Sequence, residues 1–158
     1  MSNVDPKALQ KHRSFLEKTM QDDPFVTDWF HLTQDRVTVF GGVTNDFTSS
    51  HIDPVQGAKG PWPRVAAQGF LTLALLPYFA KQLPRLDLPI KLEVNYGMNK
   101  VRLIKPALVD DSFRARFKLK EVADKPGTGL ITTKEVIVES KETGDPVMFV
   151  EWLGLLVF

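Results

Sequence analysis

The sequence contains no cysteine. That excludes disulfides, thiolate metal sites and a cysteine nucleophile. Net charge is nearly absent, because 20 Lys and Arg against 19 Asp and Glu leave +1. No bulk field draws such a chain to nucleic acid or to a membrane surface. Long hydrophobic runs are also missing. The longest, Phe70 to Leu76, is far too short to cross a bilayer. Met1 to Gln21 mixes charges throughout and lacks the apolar centre of a signal peptide. These absences lead to the expectation of a soluble, cytoplasmic protein. His12 and His31 have no second ligand at metal-binding spacing, so no metal site is expected. No nucleophile elbow, phosphate loop or dinucleotide fingerprint occurs. Tyrosine is scarce, with two against eleven Phe, which suggests a dry aromatic interior.

What is present suits one globular domain. The chain has 158 residues, 43% of them hydrophobic, enough for a sizeable core. The expectation is a single domain over 1–158, with 1–28 as an N-terminal helical extension. Pro6 to Met20 places Leu9, His12, Phe15, Leu16 and Met20 near a helical period, behind an Asp5-Pro6 start. Phe25 to Leu32 fits a short strand or a packed loop. Thr33 to Val43 predicts a second helix with Thr33 as N-cap, although Gly41 and Gly42 each weaken it by about 1 kcal/mol. Thr44 to Pro63 reads as a long polar loop, with one helical turn at Pro54 to Ala58.

Val65 to Gln82 is hydrophobic almost all round, so as a helix it is buried on most sides, with Pro77 breaking or kinking it. Four strands follow: Ile90 to Leu103, Ser112 to Val122, Leu130 to Ser140 and Val147 to Phe158. Turns separate them at Pro106 to Asp111, Asp124 to Gly127 and Glu142 to Pro146. Tyr96-Gly97 marks a bulge. A mostly antiparallel sheet after one buried helix is an α+β layout. One sheet face packs the helix and the other carries the charges.

Three places carry candidate chemistry. Asp46 and His51 lie five residues apart in the polar loop. A carboxylate and an imidazole that share one water form an acid/base pair suited to neutral pH. The competing reading is an Asx turn at Asn45-Asp46 with His51 on the surface. Gly69 opens the apolar run, where a free N–H with a helix dipole behind it can bind a carbonyl oxygen that gains charge. Taken alone, that glycine reads first as packing relief against the sheet. Asn95, Asn99, Lys100 and Arg102 crowd polar groups on one strand. The basic strip Arg114, Arg116, Lys118 and Lys120 reads as a solvent face rather than a phosphate or nucleic-acid site.

The stretch Phe40-Gly-Gly-Val-Thr-Asn-Asp46-Phe-Thr-Ser-Ser-His51-Ile-Asp-Pro54 resembles the hydratase motif of MaoC-like dehydratases, the (R)-specific enoyl-CoA hydratases of the hot-dog fold. Ala67-Gln68-Gly69-Phe70 resembles the stretch that opens their central helix. Val94 to Arg102, followed by Pro106, is similar to the nodulation-protein-N-like branch.

The resemblance implies an antiparallel sheet wrapped around a long central helix that starts near Gly69. It implies a homodimer with the acyl-thioester tunnel at the subunit interface. Asp46 and His51 would activate a water that adds to the β-carbon of a trans-2-enoyl thioester, while the Gly69 N–H polarises the thioester carbonyl. Gln68, Thr72, Asn99 and Arg102 would contact the substrate. No cofactor is implied, because CoA or an acyl carrier is part of the substrate.

Two departures stand out. Thr48-Ser49 replaces the family's usual residues inside the motif, and Gln68 replaces a histidine. The alternatives are a hot-dog acyl-CoA thioesterase and a non-catalytic acyl- or CoA-binding protein.

Overall fold

The computed structural model describes residues 5–158; the first four residues of the expected extension lie outside them. α1 spans Pro6–Thr19, and Asp5 caps it by accepting from the Lys7 N–H at 3.1 Å. Two short strands follow, β1 at Phe25–Val26 and β2 at Phe30–His31. β1 therefore falls inside the segment expected to be a helical extension. α2 spans Gln34–Thr44, as expected, although the Thr33 side chain makes no cap hydrogen bond.

The long polar loop holds two single-turn helices, α3 at Ser49–Ile52 and α4 at Pro54–Gly57. Only the second was expected. Asp53 builds α4 by accepting from Val55 and Gln56 N–H. α3 depends instead on a remote contact: Gln34 Nε2 donates to the His51 carbonyl at 2.8 Å.

The apolar run forms α5 at Gly69–Ala74 and α6 at Leu76–Ala80. Pro77 has no N–H for the Leu73 carbonyl, which interrupts the helix there as expected. The helix starts at Gly69 rather than Val65, because residues 65–67 are extended and bridge to Leu108. Its inner face, Leu71, Leu76 and Phe79, is buried. Phe70, in contrast, is 75% exposed, so the run is not buried on most sides within one chain.

Four long strands complete the fold: β3 Leu92–Leu103, β4 Ser112–Lys125, β5 Gly129–Ser140 and β6 Pro146–Val157. The antiparallel sheet runs β1-β4-β5-β6-β3, with β2 also on β4, so β3 is an edge. The expected bulge near Gly97 is present, and a second lies between Met98 and Lys100. Alternation on β4 buries Phe113, Ala115 and Phe117. Of its outward basic side chains, Arg114 pairs with Glu139 and Lys120 with Glu151, as on a solvent face.

The core divides into two clusters along this sheet. The larger joins α2, α5 and α6 to Phe113, Val136, Met148 and Trp152. The smaller lies under α1, where Leu16 meets Val122, Leu130, Leu156 and Phe158.

A buried carboxylate ties the sheet's turns together. Asp111 accepts from the Ser112 N–H, the Ser140 hydroxyl and the Glu142 N–H. Asp111→Ala strands all three donors and lowers stability by about 3 kcal/mol, read from urea denaturation.

Candidate functional site

The site starts from a short piece of extended chain. Ala67 N–H donates to the Ala107 carbonyl at 2.8 Å, and Val109 N–H donates to the Val65 carbonyl at 2.9 Å. Successive carbonyls of an extended chain point in opposite directions. With Val65 turned to Val109, the Ala66 carbonyl turns the other way. It meets His51, whose Nδ1 lies 2.5 Å from it. A carbonyl oxygen only accepts, so Nδ1 carries the proton and donates. In the neutral ring Nε2 is then the free, basic nitrogen.

Asp46 lies on the turn that follows α2. α2 ends on Asn45, which takes the left-handed conformation at φ 57°. This reverses the chain and lets the Asp46 N–H donate to Gly41 at 2.9 Å. Asp46 Oδ1 accepts from the Thr48 hydroxyl at 2.7 Å and from the Thr48 N–H at 3.3 Å. The second bond is the expected Asx turn. The Thr48 hydroxyl, its N–H and the nearby His51 charge hold the Asp46 carboxyl below the ordinary aspartate value of 3.8. Asp46 is ionised at neutral pH.

Gly69 begins α5, and its N–H donates to no backbone carbonyl among the described residues. A Cβ at this position would lie 2.3 Å from Leu103 Cδ1. Packing relief against β3 and a free N–H are therefore both features of this glycine.

A pocket of about 380 Å³ joins His51, Gly69 and Thr72 with Trp62, Leu103 and Lys105. His51, Thr72 and Lys105 are polar residues in a mostly apolar wall, the pattern of a small-molecule site, although the Lys105 ammonium donates to Asp145. The other expected residues, Asp46 included, are not among those that line it. Gln68 is buried against α2, with Nε2 donating to the Val37 carbonyl. Asn99 sits at the second bulge of β3 and is exposed. Arg102 on the same strand is exposed, and its guanidinium donates to the Val101 carbonyl.

Sequence reasoning missed the Ala66 carbonyl, which has no side-chain signal, and the hold of Thr48 on Asp46. The Asp-x-Thr spacing is a local signal for the latter. Trp62, Leu103 and Lys105 were also missed as pocket residues, because only the tertiary fold brings them there.

Residues 16–141 match the family model described as a MaoC like domain. The chain belongs to the MaoC-like family. It is similar to 3-hydroxyacyl-thioester dehydratase Z of Mycobacterium tuberculosis, at 36% identity over 125 residues, covering 79% of this chain and 82% of the relative. It is similar to nodulation protein N of Rhizobium leguminosarum bv. viciae, at 29% identity over 134 residues, covering 84% and 83%. The solved (R)-hydratase from A. caviae involved in PHA biosynthesis superposes with a TM-score of 0.69 at 21% identity, covering 85% of this chain and 96% of that one. The MaoC-like chain thus has the hot-dog fold. No helix among the described residues is long and apolar enough to cross a membrane.

The Asp46 carboxyl supplies a direct test. Because its folded value is lowered, its ionised form stabilises the fold above the unfolded aspartate value, and that stability is lost as pH falls through the folded value. Thr48→Val removes the largest cause. A carbon-detected carboxylate titration will then show the Asp46 midpoint rising towards 3.8; an unmoved midpoint would count against the Thr48 hydroxyl as the cause.

Proposed function

We propose that this MaoC-like chain is an (R)-specific hydro-lyase that adds water across a trans-2-enoyl thioester and removes it in the reverse direction. One observation carries the reading. The His51 ring spends its Nδ1–H on the Ala66 carbonyl and keeps Nε2 as a base, at a pocket that Gly69 also lines. The 3-hydroxyacyl-thioester dehydratase relative has a name of the same chemistry.

The steps follow from the groups. The thioester carbonyl sits against the Gly69 N–H. Asp46, ionised and acceptor-only, holds a water by one O–H bond. His51 Nε2 takes a proton from that water as its oxygen bonds to the β-carbon. The double-bond electrons move onto the thioester oxygen, where the Gly69 N–H stabilises the developing charge. His51 returns the proton to the α-carbon and the carbonyl re-forms. Dehydration runs the same path backwards, with the carboxylate steadying the imidazolium. CoA or an acyl carrier belongs to the substrate, and no step calls for a cofactor.

The active unit in this reading is a homodimer. Among the described residues no strand pairs with the outer edge of β3, and Phe70 and Met98 expose apolar surface. A second copy on that edge would pair its backbone groups and cover those side chains.

Asp46→Asn and His51→Ala will each lower kcat/KM for crotonyl-CoA by about 10²–10⁴-fold with the fold intact. The double variant will lose less than the product of the two, because both groups act on one water. The assay follows loss of the conjugated enoyl thioester, with a thiol reagent in a parallel cuvette. Release of free thiol in place of hydration would move the activity to thioester hydrolysis. Sedimentation equilibrium will give the mass of a dimer; a stable, fully active monomer would contradict the proposed assembly.

A further inference from the structure

Gln68 stands between the helix that opens the pocket and the loop that carries Asp46. It is 3% exposed. Nε2 donates to the Val37 carbonyl at 3.3 Å, while Oε1 is fully buried and accepts no hydrogen bond among the described residues. The amide cannot be turned over, since that would set Oε1 against the Val37 carbonyl. A buried amide oxygen without a donor costs about 1–3 kcal/mol. A methionine of similar volume would fill the space without that cost. The carboxamide therefore has a reason to be there beyond packing.

Its neighbours indicate the reason. A Cβ on Gly41 would lie 3.3 Å from Gln68 Nε2 and 2.7 Å from the Asp46 carbonyl, so the amide, α2 and the Asp46 loop meet at one bare glycine. The Gly41 carbonyl is also the acceptor for the Asp46 N–H, at 2.9 Å. Gln68 thus grips α2 at Val37, one turn before the point where the Asp46 loop is hung. Its own main chain begins α5: the Gln68 carbonyl accepts from Leu71 at 3.0 Å and from Thr72 at 3.4 Å, and the next residue is Gly69.

We propose that Gln68 is a positioning residue whose carboxamide sets the separation between the Asp46 carboxylate and the Gly69 N–H. The inference rests on the hydration chemistry above for its kinetic consequences, and on the hydrogen bonds alone for its structural ones. Charged groups on the elements packed against Gln68 are Asp46 and His51 on the loop and α3, and the exposed Asp35 and Arg36 on α2; α5 carries none.

Two variants and two readouts test it. Gln68→Met keeps the volume and removes the link to Val37. Its kcat is expected to fall by about 10–100-fold while KM stays within about twofold, and its denaturation midpoint is expected to hold or rise because the orphan oxygen is gone. Gln68→Glu imitates glutamine only when protonated, since the neutral acid can donate to the Val37 carbonyl and the carboxylate cannot. Burial raises that carboxyl, so activity is expected near wild type at the acid end and to fall along a new limb as pH rises.

Wild-type kcat in Gln68→Met, or a wild-type-shaped pH profile in Gln68→Glu, overturns the proposal. Amide hydrogen exchange needs no turnover. The Asp46 N–H is expected to exchange about tenfold faster in Gln68→Met, and unchanged exchange overturns the link. If the wild-type chain fails to hydrate crotonyl-CoA, the hydratase reading falls, and the exchange measurement still decides the role of Gln68.

Discussion

Two backbone hydrogen bonds decide where this site is. Ala67 to Ala107 and Val109 to Val65 pin the extended residues 65–67 to the segment 107–109. Once they are made, each neighbouring group has one direction available. The Ala66 carbonyl turns to His51, the Gln68 side chain turns to α2, and Gly69 starts a helix with its N–H uncommitted. Such a ladder costs nothing in flexibility at the moment of reaction, because its ordering is part of folding. Groups hung on it are positioned by folding itself, which is the usual source of electrostatic preorganisation.

The two groups proposed for acid/base work are held by different means. The Asp46 carboxyl is kept ionised by short-range hydrogen bonds from a residue two places on. His51 is oriented by a remote backbone carbonyl that fixes its tautomer. One group thus depends on local sequence and the other on tertiary structure. A substitution near Thr48 acts on charge, and a displacement of the 65–67 segment acts on geometry.

That difference explains what could be read from the residues alone. Asp46, His51 and Gly69 were singled out because their spacing matches a known motif, and the four long strands were legible because apolar side chains alternate along them. The helix boundary was ambiguous between Val65 and Gly69, since Val65 to Ala67 is as apolar as the helix itself, and the glycine was the only local sign of the later start. The main-chain carbonyl of Ala66 leaves no trace in composition. The direction of Gln68 could not be inferred either, because it depends on Gly41 lying bare beside it across a long stretch of chain. α3 escaped notice for the same reason: Ser49 and Ser50 are poor helix formers, and the turn is held from outside by Gln34.

The division of the core into two clusters bears on how the molecule can be handled. The buried residues next to the site, Val37, Val65, Ala67 and Leu71, belong to the larger cluster. α1 lies on the smaller one, clasped by Leu16 and by the His12 ring stacked on Phe158 at 4.6 Å. Its fraying is therefore a local event at the opposite end of a shared sheet. A label, surface tether or fusion partner attached ahead of α1 would load the smaller cluster and leave the spacing of Asp46, His51 and Gly69 undisturbed.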